Sequence, residues 1–354
     1  MNSAPDSPPA SDAPLRLLFV KLKHIGDALL LTPTLVAVQR AYPNAQSWVV
    51  VREGTEGILA GCPAIHRLVT VAAVESDRRP LGSLWRDTQT WLALRRERFD
   101  YAFELTDGDR GRWLAGMSGA RVRCVNTFHP PMNAWWQWWF NRRSETPWTQ
   151  GHRVEKDHGL VAEFLPLPGE IPPLSFERSR STEPDFLHGV ADFAVFHPGT
   201  RWVKKRWPKA HWLELGRRLL ERVGKIVVSC GPDADERALA AKLVAAWGPE
   251  RAVSADGRLN WAQLAGCLHR ARVFVGVDTA AMHLAAACQC PLVAIFGYSV
   301  VSQWRPWQAP CELINLAAGR DRDEFPDEKI MRLQTPELVL AAAERLLRPA
   351  QSAG

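Results

Sequence analysis

The sequence has no Cys-x-x-Cys pair and an odd number of cysteines, seven in 354 residues. That argues against a zinc site or a disulfide framework and favours buried free thiols. No apolar run approaches the roughly 20 residues needed to span a bilayer. The opening residues, MNSAPDSPPASDAP, lack both the basic and the apolar segment of a secretory signal. A protein kept in the cytoplasm is therefore expected, with residues 1–14 as a disordered tail. No Gly-x-Gly-x-x-Gly follows a strand-like run, which disfavours a dinucleotide-dependent oxidoreductase. The P-loop pattern, His-Glu-x-x-His and Gly-x-Ser-x-Gly are absent too, so P-loop NTPases, zincins and hydrolases with a nucleophile elbow are set aside.

What is present reads as a soluble globular α/β protein. The hydrophobic share is 46% and the charged share 23%, which sets aside disorder of the whole chain. The length favours two domains. The net charge of +6 suits an anionic partner without choosing among nucleotide, nucleic acid and membrane surface. Strand-like runs alternate with helical apolar spacing, beginning with LRLLFV at 15–20, a helix over 28–41 and SWVVV at 47–51. Strands at 67–71, 100–105 and 121–125 continue the rhythm, with helices over 84–97 and 152–164. Residues 126–150 break it, and the Pro-rich stretch 166–184 reads as a linker. A second rhythm follows, with strands at 193–196, 225–230, 273–277 and 291–296 and helices at 209–223, 233–247, 261–270 and 280–287. The chain closes with a helix over 335–347. Two open parallel sheets are the economical architecture, and ligands of such sheets sit beyond the carboxyl ends of the strands.

Four segments follow strands and so point to that end. The first, KLKHIGD at 21–27, offers Asp27 either as a helix N-cap or as a carboxylate able to act as general base. The second, HPGTRWVKKRWP at 197–208, groups Thr200, Arg201, Lys204, Lys205 and Arg206. This is either a solvated basic loop or a set of charges for a pyrophosphate. The third, CGPDADE at 230–236, contains an Asp-x-Asp. The same pattern recurs at Asp107/Asp109 and Asp321/Asp323, so it is uninformative as a metal motif. Asp233 reads better as an N-cap, and Asp233 or Glu236 is a candidate partner for a ribose hydroxyl. In the fourth, GVDTAAMH at 276–283, a strand delivers Asp278 and Thr279 to a small-residue helix. The free N–H groups of Thr279, Ala280 and Ala281 make an anion site, with His283 one turn in. Locally, Asp278 also fits an N-cap and His283 a packed core residue.

Taken in order, KxxHIGDxLLxTP, YPNA, HPGTRWxxKRWP and GVDTAAMHLAAA followed by PLVAIFG resemble the ADP-heptose–lipopolysaccharide heptosyltransferases, glycosyltransferase family 9. The likeness runs from about Leu15 to Trp307, and the HIGD and HPG forms look most like the heptosyltransferase III branch. The resemblance implies a GT-B fold, two Rossmann-like doubly wound domains facing across a cleft. An acceptor-binding domain would cover 15–180 and a nucleotide-sugar donor domain 185–334. A terminal segment, 335–354, would pack back on the N-terminal domain. The resemblance implies inverting transfer of L-glycero-D-manno-heptose from ADP-heptose to the lipopolysaccharide inner core, with no metal or other cofactor. Asp27 matches the catalytic carboxylate and Lys205 the basic residue facing the diphosphate. Thr200, Arg201, Glu236, Leu259, Asp278, Thr279, Ala280 and His283 fall on the donor side, Leu259 at the adenine pocket, and Lys23 and His24 on the acceptor side. Ala280 departs from the glycine of many members.

The cluster Trp135, Trp136, Trp138, Trp139 and Phe140, with Arg142 and Arg143, has aromatic bodies and a basic rim suited to a membrane interface. The acceptor the resemblance implies is lipid-anchored and anionic, which would put the protein on the cytoplasmic face of the inner membrane. The same tryptophans could instead pack beneath the first sheet. Two other functions compete. One is a GT-B transferase with a protein or another glycan as acceptor. The other is a sugar-nucleotide-binding protein without turnover, against which Asp27 and Lys205 together argue. No recognition-helix module points to nucleic acid.

Overall fold

The computed structural model describes residues 13–73, 81–128, 132–148 and 151–347. Most of the expected N-terminal tail, and the chain after 347, lie outside the described residues. The chain divides into two compact units, Met1–Pro172 and Pro173–Gly354.

The first unit carries β1 (Arg16–Val20), β2 (Gln46–Arg52), β3 (Arg67–Val71), β4 (Tyr101–Glu104), β5 (Val122–Asn126) and β6 (Arg142–Ser144). All pair in parallel, in the order β3-β2-β1-β4-β5-β6. Central strands of such a sheet are covered on both faces, which is why LLFV of β1 is apolar without alternation and wholly buried. The crossings are made by α1 (Ile25–Leu29), α2 (Thr32–Ala41), α3 (Leu81–Arg96), α4 (Asp109–Gly116), α5 (Ala134–Trp138) and α6 (Arg153–Phe164). The single helix expected over 28–41 is two. Pro33 sits in the first turn of α2, where its missing N–H costs nothing, and so marks a new start. His152 and Glu155 form a capping box that fixes the start of α6. The core joins Leu18, Val20, Val50, Phe99 and Leu114, with Trp136 and Trp139 packed against it.

The second unit carries β7 (Phe193–His197), β8 (Lys225–Val228), β9 (Ala252–Ser254), β10 (Phe274–Val277), β11 (Leu292–Ile295) and β12 (Cys311–Ile314). They too are parallel, in the order β12-β11-β10-β7-β8-β9. The helices are α7 (Lys209–Leu219), α8 (Ala234–Trp247), α9 (Trp261–Arg270), α10 (Ala280–Ala287), α11 (Val301–Trp304), α12 (Asp327–Leu333) and α13 (Pro336–Leu346). Counted from its own first strand, each sheet has the order 3-2-1-4-5-6, the doubly wound Rossmann order. Trp212 is wholly buried against Phe196 and Trp207, and the Trp207 indole N–H donates to the Gln334 carbonyl at 2.7 Å.

One expectation is corrected here. The terminal helix α13 packs on α7, β11 and β12, and Val339, Ala342 and Ala343 belong to the core of the second unit. Its apolar stripe finds that sheet's open face, so the helix belongs to this unit and not to the N-terminal one. All seven cysteines are free thiols, five of them buried. Among the described residues no helix is long and apolar enough to cross a membrane.

Candidate functional site

The strand order puts a switch point between β1 and β4 in the first unit and between β7 and β10 in the second. At a switch point the chains leaving two neighbouring strands turn to opposite faces, opening a crevice at their carboxyl ends. Three of the four sequence segments leave these strands. KLKHIGD leaves β1, HPGTRWVKKRWP leaves β7 and Asp278-Thr279 leaves β10.

In the first unit Asp27 is half-buried at the third position of α1, and His24 holds the N-cap position. Asp27 is therefore not the N-cap. Beside it, Lys21 is buried and donates to both carboxylate oxygens of Asp157, at 2.8 and 2.6 Å. Burial works against the Lys21 charge, but the Asp157 and Asp27 carboxylates outweigh it and hold the ammonium above its usual value. Lys23 is half-buried, 3.4 Å from Asp107 Oδ2, and the exposed His24 has its Nδ1 3.3 Å from Arg52 Nη2. Arg52 Nε also donates to the Lys23 carbonyl at 2.9 Å.

Several members of this cluster carry no local sequence signal. Lys156 donates to Asp107 at 2.6 Å. Burial opposes the Asp107 charge, but Lys156, with Lys23 and Lys21 behind it, holds the carboxyl below its usual range. Asp107 has φ 59°, a left-handed conformation that costs a non-glycine residue free energy. The buried Glu104 holds that turn, accepting from the backbone N–H of Thr106 at 2.8 Å and of Asp107 at 3.3 Å. Burial, with the Asp107 charge behind it, pushes the Glu104 carboxyl up to about 7. Gly111 in α4 makes room for this arrangement, because a Cβ there would overlap the Glu104 carboxylate and the Thr106 hydroxyl.

In the second unit the chain leaves β7 through His197, Pro198 and Gly199 and enters a 3-10 turn, Val203–Lys205. Lys205 Nζ stands 2.5 Å from Asp278 Oδ2, which joins this turn to the end of β10. Thr200 is buried and its hydroxyl accepts from the Trp202 N–H at 3.3 Å. Arg201 is exposed, 5.1 Å over the Trp202 ring. Thr279 is the N-cap residue of α10, but its hydroxyl donates to the Val277 carbonyl and does not cap the helix. The helix start at Ala280 and Ala281 thus presents backbone N–H groups without a side-chain cap, as an anion site requires. Asp278, the alternative cap, is engaged with Lys205 instead. His283 is buried one turn in, and its N–H donates to the Thr279 carbonyl at 3.4 Å.

Glu236 lies under the turn after β7. Its carboxylate accepts from the Gly231 N–H at 2.8 Å, and a Cβ at Gly199 would overlap it. The glycine of HPG is thus required by close approach. Asp233 caps α8 through the N–H groups of Asp235 and Glu236, as its sequence context suggested. Leu259 is half-buried between β9 and α9. Each Asp-x-Asp is otherwise employed, since Asp107 is ion-paired and Asp321 accepts from the Asp323 N–H. Among the described residues no group of three or more His, Cys, Asp or Glu side chains is arranged to hold a metal ion.

The tryptophan cluster splits. Trp135 and Trp138 are 59% and 77% exposed, while Trp136 and Trp139 are half-buried against the core. Of the two alternatives expected from sequence, packing against the first unit's core holds for Trp136 and Trp139.

Comparison with known proteins agrees with this geometry. The model of glycosyltransferase family 9 (heptosyltransferase) matches residues 88–331, more than half of the chain. Lipopolysaccharide heptosyltransferase 1 of Pseudomonas aeruginosa is 32% identical over 80% of this chain and 79% of its own length. Lipopolysaccharide heptosyltransferase 3 of Escherichia coli is 26% identical over 94% of this chain and 99% of its own length. Higher identity thus falls with one branch and fuller coverage with the other. The solved structure of E. coli heptosyltransferase WaaC with ADP superposes with a TM-score of 0.78, at 22% identity, over 94% of this chain and 99% of that one. The fold is accordingly GT-B. The chain is a glycosyltransferase and belongs to glycosyltransferase family 9, the heptosyltransferases.

Proposed function

We propose that this enzyme transfers L-glycero-D-manno-heptose from ADP-heptose to the inner core of lipopolysaccharide, with inversion and without a metal. The observation that carries this reading is the Lys205–Asp278 pair at the switch point of the second unit, next to the uncapped start of α10. Departure of a diphosphate develops negative charge, and a lysine together with backbone N–H groups can stabilise it where other enzymes use a metal ion. The relatives named lipopolysaccharide heptosyltransferase support the sugar and the acceptor. The E. coli enzyme solved with ADP and with ADP-2-deoxy-2-fluoro heptose supports the donor.

In this mechanism Asp27 takes the proton of the acceptor hydroxyl as its oxygen attacks the anomeric carbon. The bond from that carbon to the diphosphate oxygen breaks, and ADP leaves facing Lys205. A single displacement from the opposite face inverts the anomeric configuration. Thr200, Arg201, Thr279, Ala280 and His283 flank the diphosphate side. Glu236 takes the ribose and Leu259 the adenine. Lys23 and His24, with Arg52 behind them, face the anionic acceptor. Calorimetry with ADP-, UDP- and GDP-sugars tests the donor. The reading expects binding of ADP-heptose, and tight UDP-sugar binding without ADP-sugar binding contradicts it.

The lipid-anchored acceptor gives a role to Trp135 and Trp138, the two exposed members of the cluster, with Arg143 also exposed. They suit contact with the cytoplasmic face of the inner membrane. Trp135→Ser/Trp138→Ser is expected to lower cosedimentation with anionic liposomes while leaving ADP affinity intact. Unchanged cosedimentation removes membrane contact from the account.

A further inference from the structure

The mechanism above takes Asp27 from the chain that leaves β1. The chain that leaves β4, at the same switch point of the first unit, carries Asp107, to which no step has been given. Thr106 ties the two chains together. Its hydroxyl accepts from the Leu22 N–H at 2.8 Å and donates to the Val20 carbonyl at 3.2 Å. The buried Lys21 ammonium interacts with both the Asp27 and the Asp107 charges, so both carboxylates lie within electrostatic reach of one point.

The Asp107 carboxylate is anchored through one oxygen only. Lys156 Nζ at 2.6 Å and Lys23 Nζ at 3.4 Å converge on Oδ2. Among the described residues Oδ1 has no partner, and it is not sealed from solvent. The backbone beneath it is held in the left-handed region by the Glu104 carboxylate, with Gly111 leaving the room. That conformation costs an aspartate free energy, which these contacts offset. The result is a carboxylate whose position is fixed and whose second oxygen is open.

The charges around Asp107 select what Oδ1 takes. Lys156, with Lys23 and Lys21 behind it, keeps the carboxyl ionised, so it accepts hydrogen bonds and donates none. An anion at Oδ1 is repelled by the carboxylate itself. A cation there meets three ammonium groups. A neutral O–H donor satisfies the oxygen and adds no charge. The crevice that Asp107 lines with Glu104, Asn126, Trp148 and Lys156 is too narrow to admit a sugar ring. A sugar therefore stays outside it and offers a hydroxyl.

We propose that Asp107 determines acceptor specificity, its Oδ1 accepting a hydrogen bond from a second hydroxyl of the acceptor sugar while Asp27 takes the proton of the first. The inference rests on the acceptor reading above and adds a residue that the sequence motifs do not contain. The test is steady-state transfer from ADP-heptose by wild type and Asp107→Asn. The acceptors are the core acceptor and analogues each lacking one hydroxyl other than the one attacked. Asparagine tolerates the left-handed backbone. Its carbonyl oxygen goes to the two lysines, which turns an amide N–H₂, a donor, to the open position. The variant is expected to raise the KM for the core acceptor about tenfold to a hundredfold, as for a lost hydrogen bond to a charged group, with ADP affinity by calorimetry unchanged. Wild type is expected to lose a similar factor on one analogue, and Asp107→Asn to treat that analogue and the core acceptor alike. A purely structural role would lower both acceptors together and leave the discrimination in place. Asp107→Gly, which also suits the left-handed backbone, decides the matter if thermal melting shows Asp107→Asn unfolded. A variant that discriminates among the acceptors as wild type does, or a wild type that discriminates among none of them, overturns the role of Asp107 alone. Wild type that transfers no heptose to the core acceptor overturns the acceptor reading, and this inference with it.

Discussion

Lys205 and Asp278 meet at 2.5 Å, binding the 3-10 turn after β7 to the end of β10. The pair is largely shielded, with side chains 22% and 8% exposed. In the free enzyme each neutralises the other; a bound diphosphate offers Lys205 a second anionic partner. Removing one preorganised donor from a developing charge costs about 10²–10³ in kcat. Lys205→Ala is expected to fall in that range in a heptose-transfer assay, and near-wild-type turnover would remove Lys205 from the mechanism.

The Lys21–Asp157 pair is of a different kind. Both side chains are nearly inaccessible, 5% and 2% exposed. Deleting one partner strands the other charge in a medium that solvates it poorly, at a cost of about 3–5 kcal/mol. Lys21→Met keeps the volume and is expected to destabilise the protein by about that amount in denaturant unfolding. A loss below about 1 kcal/mol would show that Asp157 is compensated in some other way.

Glu104 predicts a pH dependence. Its carboxyl is raised from 4.5 to about 7 in the folded chain, so the folded state binds the proton more tightly than the unfolded state. Below 4.5 both states are protonated and Glu104 contributes no slope. Between about 4.5 and 7 the unfolded chain releases its proton first, and stability falls as pH rises. Glu104→Gln removes that slope. Relative to wild type, the variant should be more favourable at pH 8 than at pH 5 in chemical denaturation, and a difference that does not change with pH contradicts the assignment.

The sequence made the strand–helix rhythm legible because buried parallel strands are continuously apolar, and GVDTAAMH because a small-residue helix directly follows such a strand. It also made Asp233 legible as a cap, since capping is a local interaction. Elements with weak or short apolar patterns were not anticipated. These include β6, whose residues are Arg142, Arg143 and Ser144, and β12, an edge strand. The partners of the first-unit cluster were hidden for a different reason. Lys21 and Asp157 are 136 positions apart, and Glu104, Asp107 and Lys156 meet only once β1, β4 and α6 are assembled. The Arg322–Asp327 pair, 2.7 Å apart beyond β12, was equally illegible, because both residues lie in a charged stretch, GRDRDEFPDE, with no periodicity of its own. Local sequence likewise could not tell which tryptophans of the cluster face outward.

The central claim is that Asp27 removes the proton from the acceptor hydroxyl. It is tested most directly by single-turnover transfer from ADP-heptose to a heptose-containing core acceptor, comparing wild type with Asp27→Asn and measuring ADP affinity of both by calorimetry. The account predicts a fall of about 10²–10⁴ in the rate of transfer with ADP affinity unchanged. Near-normal transfer by Asp27→Asn would contradict it.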